Sequence, residues 1–258
     1  MSKILTANGY KRFRAKIEKF PEPLKSYFIS RHRVDDYDSF RLDKPWNPLV
    51  PQFVLTDRNE EFLFLFYNCG GQDRYRDILK ILEEISIVFE EGLKLPAQLV
   101  KTYSSVFFFD ADDEGIEKTF EEFKKRYTGH FGELEALKLN DWISVNNHHV
   151  GCFIFSNDKG KGTLEDILVP MIEEKHKNIA EAAESFFVSH AVETDKITNS
   201  EAKKKKAIIT TTGQFNHPGY SMAVILKESD LLDEEVLKNN ALSKQIFDFF
   251  SKIESENE

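Results

Sequence analysis

Cysteine is scarce in this chain: Cys69 and Cys152 are the only two among 258 residues. Both adjoin apolar, strand-like runs, so the expectation is two buried free thiols in a reducing compartment, and a disulfide-stapled scaffold is excluded. Long hydrophobic runs are missing too. Nothing approaches the roughly 18 apolar residues that cross a bilayer, and the first residues lack the apolar core of a signal peptide. Together these absences predict a cytoplasmic protein with no membrane contact. Positive charge is in deficit, with 35 Lys and Arg against 44 Asp and Glu, a net charge of -9. Proteins that hold nucleic acid by broad phosphate neutralisation are basic. The acidity argues against a simple nucleic-acid-binding module, but not against an enzyme that meets phosphate through bound metal ions. Internal repeats and clear linkers are also lacking.

What is present fits a soluble α/β protein. The chain is 41% hydrophobic and 31% charged, enough for a substantial core. The most informative stretch is Ser105-Val106-Phe107-Phe108-Phe109-Asp110-Ala111-Asp112-Asp113-Glu114-Gly115. Its apolar run has no polar alternation and reads as a strand buried on both faces. It ends in acid, and ligands of open α/β sheets bind at the carboxyl ends of strands. In an extended stretch, residues two apart point the same way, so Asp110 and Asp112 would aim two carboxylates at one hard cation such as Mg²⁺. The competing reading is that these acids only cap the next helix.

Other strands are expected at residues 52–55, 62–67 and 150–156, with an edge strand or hairpin arm at 141–146. Residues 3–9 read as a short strand ending in an Asn-Gly turn, and residues 10–20 as loosely helical. Helical spacing runs from 74 to 90 and from 114 to 127. Thr163 caps a helix carrying Glu165 and Asp166 in its first turn, and Pro170 is expected to break or kink it. A second helix is expected from 171 to about 192, and others at 226–233 and 242–253. Residues 208–212 are open between strand and helix end.

Several further features invite a chemical reading. Gly70-Gly71 after a strand is a weak phosphate-binding signal that a tight chain reversal also explains. His148 and His149 would face opposite ways on a strand, which disfavours joint metal ligation. Lys203-Lys204-Lys205-Lys206 reads as a solvated face with the option of a phosphate contact. Lys159 and Lys161, in the glycine-rich loop at 157–162, are further candidates for phosphate.

Three blocks taken together resemble a known family: Asn68-Cys69-Gly70-Gly71, then Phe109-Asp110-Ala111-Asp112-Asp113, then the run from Gly160-Lys161-Gly162-Thr163-Leu164-Glu165-Asp166 to Pro170. Each follows a strand. Their order is similar to an uncharacterised group of bacterial proteins in the Toprim-like clan, named for the topoisomerase–primase domain. The likeness extends over about residues 62–250. It implies a Rossmann-like domain with a central, mostly parallel sheet flanked by helices over 62–258, and an irregular N-terminal addition, 1–61, packed on it. It also implies Mg²⁺ (or Mn²⁺) on Asp110 and Asp112, with Asp113, Glu165 and Asp166 as neighbouring acids and Glu165 a candidate catalytic group. The implied activity is cutting or joining nucleic-acid phosphodiesters. The clan's first-strand Glu-Gly is absent from residues 1–61, where Asn8-Gly9 is the nearest match. Asn cannot act as a general base. That departure supports an alternative: a catalytically inactive member that binds a protein partner, such as an ATPase of a defence or repair system.

Overall fold

A computed structural model describes residues 1–13, 17–32, 51, 53–67, 74–92, 103–145, 148–190 and 200–256. The chain opens with α1 (Ser2–Ala7), the two-residue strand β1 (Lys11–Arg12), a 3-10 turn at Ile17–Lys19 and α2 (Leu24–His32). Strands β2 (Phe53–Thr56) and β3 (Leu63–Phe66) follow, then α3 (Tyr75–Gly92), β4 (Ser104–Asp110), α4 (Ile116–Phe131), β5 (Asp141–Val145) and β6 (His148–Phe155). The rest is helical: α5 (Leu164–Ser189), α6 (Glu201–Asn216), α7 (Met222–Glu228), α8 (Glu234–Asn239) and α9 (Ala241–Glu256). Among the described residues, no helix is long and apolar enough to cross a membrane.

The protein is α/β, with two three-stranded sheets among the described residues, in the orders β1-β2-β3 and β4-β6-β5. The first is antiparallel throughout. In the second, β4 and β6 run parallel and β5 is antiparallel to β6. Instead of one mostly parallel sheet, the described strands thus contain a single parallel pair. Chain length explains the difference. Only two residues separate β5 from β6 and six separate β2 from β3, whereas a parallel return needs a crossover of a dozen or more. Between β4 and β6 the chain has that length and uses it for α4. The β2–β3 turn is built on Asp57, whose buried carboxylate accepts from the N–H groups of Asn59, Glu61 and Phe62 at 2.8–2.9 Å.

The apolar run of β4 is covered on both faces, as its lack of alternation requires. On one side Phe107, Val150, Cys152 and Ile154 pack with Phe120, Phe123, Tyr127 and Phe131 of α4. Those four recur at helical spacing, which is what turns one face of α4 to the sheet. On the other side Phe108, Phe153 and Phe155 pack with Met171 and Ile172 of α5 and with Ile246, Phe249, Phe250 and Ile253 of α9. Gly151 lets Trp142 and Phe249 close over the sheet, since a Cβ there would lie 2.7 Å from the indole and 2.9 Å from the Phe249 ring. Ile4, Leu5, Tyr10 and Leu55 join this second core, so the N-terminal segment is packed on it.

Local expectations change or resolve in several places. Residues 3–9 form a helix end, not a strand end: Asn8 Nδ2 donates to the Ile4 carbonyl at 2.8 Å, and Gly9 takes φ +97°. The Asn-Gly turn is real, but a short apolar run does not reveal by itself whether strand or helix precedes it. In α5 the chain passes through Pro170 and leaves helical geometry at His176 instead, with φ −117° and ψ 28°. Residues 208–212 lie inside α6. Cys152 is a buried free thiol, and burial pushes its pKa up; Cys69 lies outside the described residues.

Candidate functional site

The carboxyl ends of the parallel pair carry two loops that are laced together by backbone hydrogen bonds. Ala111 N–H donates to the Phe155 carbonyl at 2.9 Å, extending the β4–β6 ladder by one residue. Asp112 and Gly162 exchange two bonds, 2.8 and 2.9 Å, and Ile116 N–H reaches the Gly160 carbonyl at 2.8 Å. The second loop is itself wound on Asn157, whose Oδ1 accepts from the N–H groups of Lys159 (2.9 Å) and Lys161 (3.3 Å). Gly162 sits at φ +99°, and a Cβ there would fall 2.5 Å from Asp166 Oδ2 and 2.9 Å from Asn157 Nδ2. Only glycine meets both the dihedral and the space.

This lacing brings Asp110 to the start of α5. Its Oδ1 accepts from Leu164 N–H at 2.8 Å, a favourable place for a carboxylate at a helix N-terminus. Burial nevertheless raises the Asp110 pKa above the ordinary carboxylate value. The Glu165 and Asp112 charges add to the rise, while the Leu164 N–H and Lys206 oppose it. Asp112 is exposed and takes φ +48°, a left-handed conformation uncommon outside glycine and tolerated best by Asn and Asp. The chain is therefore no longer extended there, and the two-apart, same-side argument does not apply. Asp112 still belongs to the cluster electrically. Its pKa is raised by desolvation first and then by Asp113, with smaller contributions from Glu114 and Glu165, against Lys206.

The two acids at the start of α5 behave differently. Glu165 is buried at 6% exposure, and its ion pair is with Lys206 Nζ at 3.6 Å. Asp166 is engaged on two sides: Oδ2 accepts from Thr163 N–H at 2.7 Å, and Oδ1 pairs with Lys205. Burial works to raise the Asp166 pKa, but those partners outweigh it and hold the value below the ordinary range. Asp113 is exposed on the turn before α4, and Lys159 and Lys161 are exposed on the neighbouring loop. Gly70 and Gly71 lie outside the described residues. Among the described residues, no three Asp, Glu, His or Cys side chains form a ready-made metal cage.

The lysine run, expected as a solvated face with the option of a phosphate contact, instead turns three of its members to α5: Lys204 pairs with Glu184 at 2.8 Å, Lys205 with Asp166 and Lys206 with Glu165. Its signal in the sequence was charge complementarity, a basic run following an acid-bearing helix, but the pairing of individual residues depends on how α6 docks. The model of one family matches residues 72–254. The chain belongs to that family, described as a protein of unknown function (DUF3226). The DUF3226 match contains Asp110, Asp112, Glu165 and Lys206. No curated protein and no solved structure matches the chain.

Proposed function

We propose that this DUF3226 chain is a Toprim-like protein that carries out metal-dependent phosphodiester chemistry on nucleic acid. The observation that carries the reading is the surplus of negative charge at the carboxyl end of the parallel pair. Asp110, Asp112 and Glu165 act on one another electrostatically, and the Lys206 ammonium, 3.6 Å from Glu165, offsets the charge of Asp110 and Asp112 only in part. Carboxylates that raise one another's pKa are relieved by a hard divalent cation, which takes oxygen ligands. Carboxylate oxygens suit Mg²⁺ or Mn²⁺, and Asp110, Asp112 and Glu165 would be the donors, although the three form no ready-made cage among the described residues. Asp166 is left out because Thr163 and Lys205 already hold it; Asp113 contributes field from the surface. A cation there would supply charge neutralisation at a phosphate and activation of water. Lys159 and Lys161, exposed on the neighbouring loop, would meet the phosphate backbone beside the acids. Glu165, buried and without a hydrogen bond among the described residues, would be the general base where it does not itself ligate the cation.

Incubation of the protein with plasmid and with single-stranded DNA in Mg²⁺ or Mn²⁺ tests this reading. Cleavage that Asp110→Ala reduces at least 100-fold is expected. Cleavage no greater than that of Asp110→Ala would defeat it.

A second reading has its own observation. Asn8 closes a helix, so the nearest match to the clan's first-strand Glu-Gly supplies no carboxylate at a strand tip. A catalytically silent Toprim-like protein that binds a partner, such as an ATPase, accounts for that. Co-purification with an ATPase from the native host, together with absent cleavage, is its expected outcome.

A further inference from the structure

A cavity of about 310 Å³ opens where the β2–β3 turn and the N-terminal segment meet α9, and it shares no residue with the acid cluster. Tyr10, Asp57, Arg58, Asn59 and Phe247 line it. Sites for small molecules start at about this size. Its walls combine an aromatic corner with a fixed cation. Tyr10 and Phe247 meet edge-on, their centroids 6.3 Å apart and their planes at 85°. Phe64 and Phe250 pack on the same tyrosine ring and hold it in place.

The cation is Arg58. Its Nε and Nη2 both donate to the Asn8 carbonyl, at 3.2 and 2.7 Å. Gly9 makes room for this contact: it takes φ +97°, and a Cβ there would run into the guanidinium. The Asn8 carbonyl occupies one edge of the guanidinium plane. The other edge, the Nη1–Nη2 fork, meets no acceptor among the described residues. The acids beside it are committed elsewhere. Asp57 accepts three backbone N–H groups at 2.8–2.9 Å, and Glu60 pairs with Lys11 at 3.4 Å. In a chain of net charge -9, the cavity thus carries an arginine that is held in position but not neutralised.

We propose that this cavity binds a small anion bearing a flat ring. The ring enters the Tyr10–Phe247 corner, where edge-to-face or offset contact with aromatic side chains is favourable. The carboxylate or phosphate of the ligand takes the open fork of Arg58 through two parallel N–H···O bonds. This binding site goes beyond the metal reading and does not depend on it.

The test is titration calorimetry of the full chain, in chelator, with 4-hydroxybenzoate and with adenosine 5′-monophosphate. Acetate, inorganic phosphate and adenosine serve as comparisons that lack either the ring or the charge. One of the two ring-bearing anions is expected to bind with Kd below about 1 mM, and which one does so separates a carboxylate from a phosphate ligand. The comparison compounds bind at least roughly tenfold more weakly. Arg58→Lys keeps the charge but loses the fork, so binding falls about tenfold or more. Phe247→Leu keeps an apolar side chain and removes the ring; it weakens binding several-fold and carries the test if Arg58→Lys does not fold. No binding of either ring-bearing anion overturns the proposal. So does acetate or phosphate binding as tightly as they do, and so does an affinity that neither substitution changes.

Discussion

The two ends of the β4–β6 pair are chemically opposite. At the carboxyl end lie Asp110, Asp112 and Glu165, charges in surplus, on loops fixed by backbone hydrogen bonds. At the amino end lies a neutral, aromatic plug. His148 stacks on Phe131 at 5.2 Å, meets Tyr103 edge-on at 4.3 Å and shares a 3.1 Å hydrogen bond between its Nε2 and Ser105 Oγ. Its Nδ1 is buried without a partner among the described residues. Burial, followed by the nearby His130 and His149, lowers its pKa to about 4. One end of the sheet keeps charges that repel one another; the other keeps the His148 ring uncharged at neutral pH. Polar residues at a strand end are thus no guide to a site in themselves. What singles out the carboxyl end is charge retained against its own repulsion.

The comparison is broken most severely by Gly162→Ala. The added Cβ meets Asp166 and Asn157 while φ stays positive, so the loop that presents Leu164 to Asp110 has to rearrange. A loss of about 3 kcal/mol is expected in urea unfolding, and Mn²⁺-dependent cleavage should go with it. An unchanged midpoint in urea would show that the lacing does not hold the acids. The amino end is broken by acid. A histidine whose folded pKa lies below its unfolded value favours the folded state fully above the unfolded value near 6.5. That stability is lost as pH falls from there toward about 4. The loss attributable to His148 is about 2–3 kcal/mol, and His148→Gln should flatten the slope in that window. Parallel stability–pH curves for both proteins would remove His148 from the account.

How much of this was legible in the sequence follows from what each element depends on. The β4 run, the α4 stripe, the β5 arm and the acid at the strand tip were legible because burial on two faces and helical periodicity are written into neighbouring residues. The convergence of Asp110 with the start of α5 was expected from the family resemblance, which set Glu165 and Asp166 beside Asp110. The partner pairing was not legible: Lys205 on Asp166 and Lys206 on Glu165 depend on the docking of two helices roughly 40 positions apart in the chain. Asp112 misled for a local reason, since nothing in Asp-Ala-Asp announces a left-handed residue. Ile4-Leu5 misled because two apolar residues fit a helix turn as well as a strand. The parallel sheet was over-read, although the short chain between β2 and β3 already forbade a crossover there.

The smallest effect gives the sharpest form of the comparison. Burial and the Glu165 and Asp112 charges raise the Asp110 carboxyl above its unfolded value. Such a group binds its proton more tightly in the folded chain, so it lowers stability as pH rises through the unfolded and then the folded pKa, and the loss is restored as pH falls back. At neutral pH, ionised Asp110 is therefore a net cost to the fold. Asp110→Asn removes the charge and keeps an oxygen to accept from Leu164 N–H. In chelator at pH 7 it should melt at or slightly above the wild type, the gain staying under about 1 kcal/mol because the cluster is open to solvent. The same substitution should abolish stabilisation by Mn²⁺. If Asp110→Asn instead melts clearly lower in chelator, the carboxylate is already compensated by Lys206 and the helix terminus, the charge surplus at the carboxyl end is gone, and the case for a divalent cation goes with it.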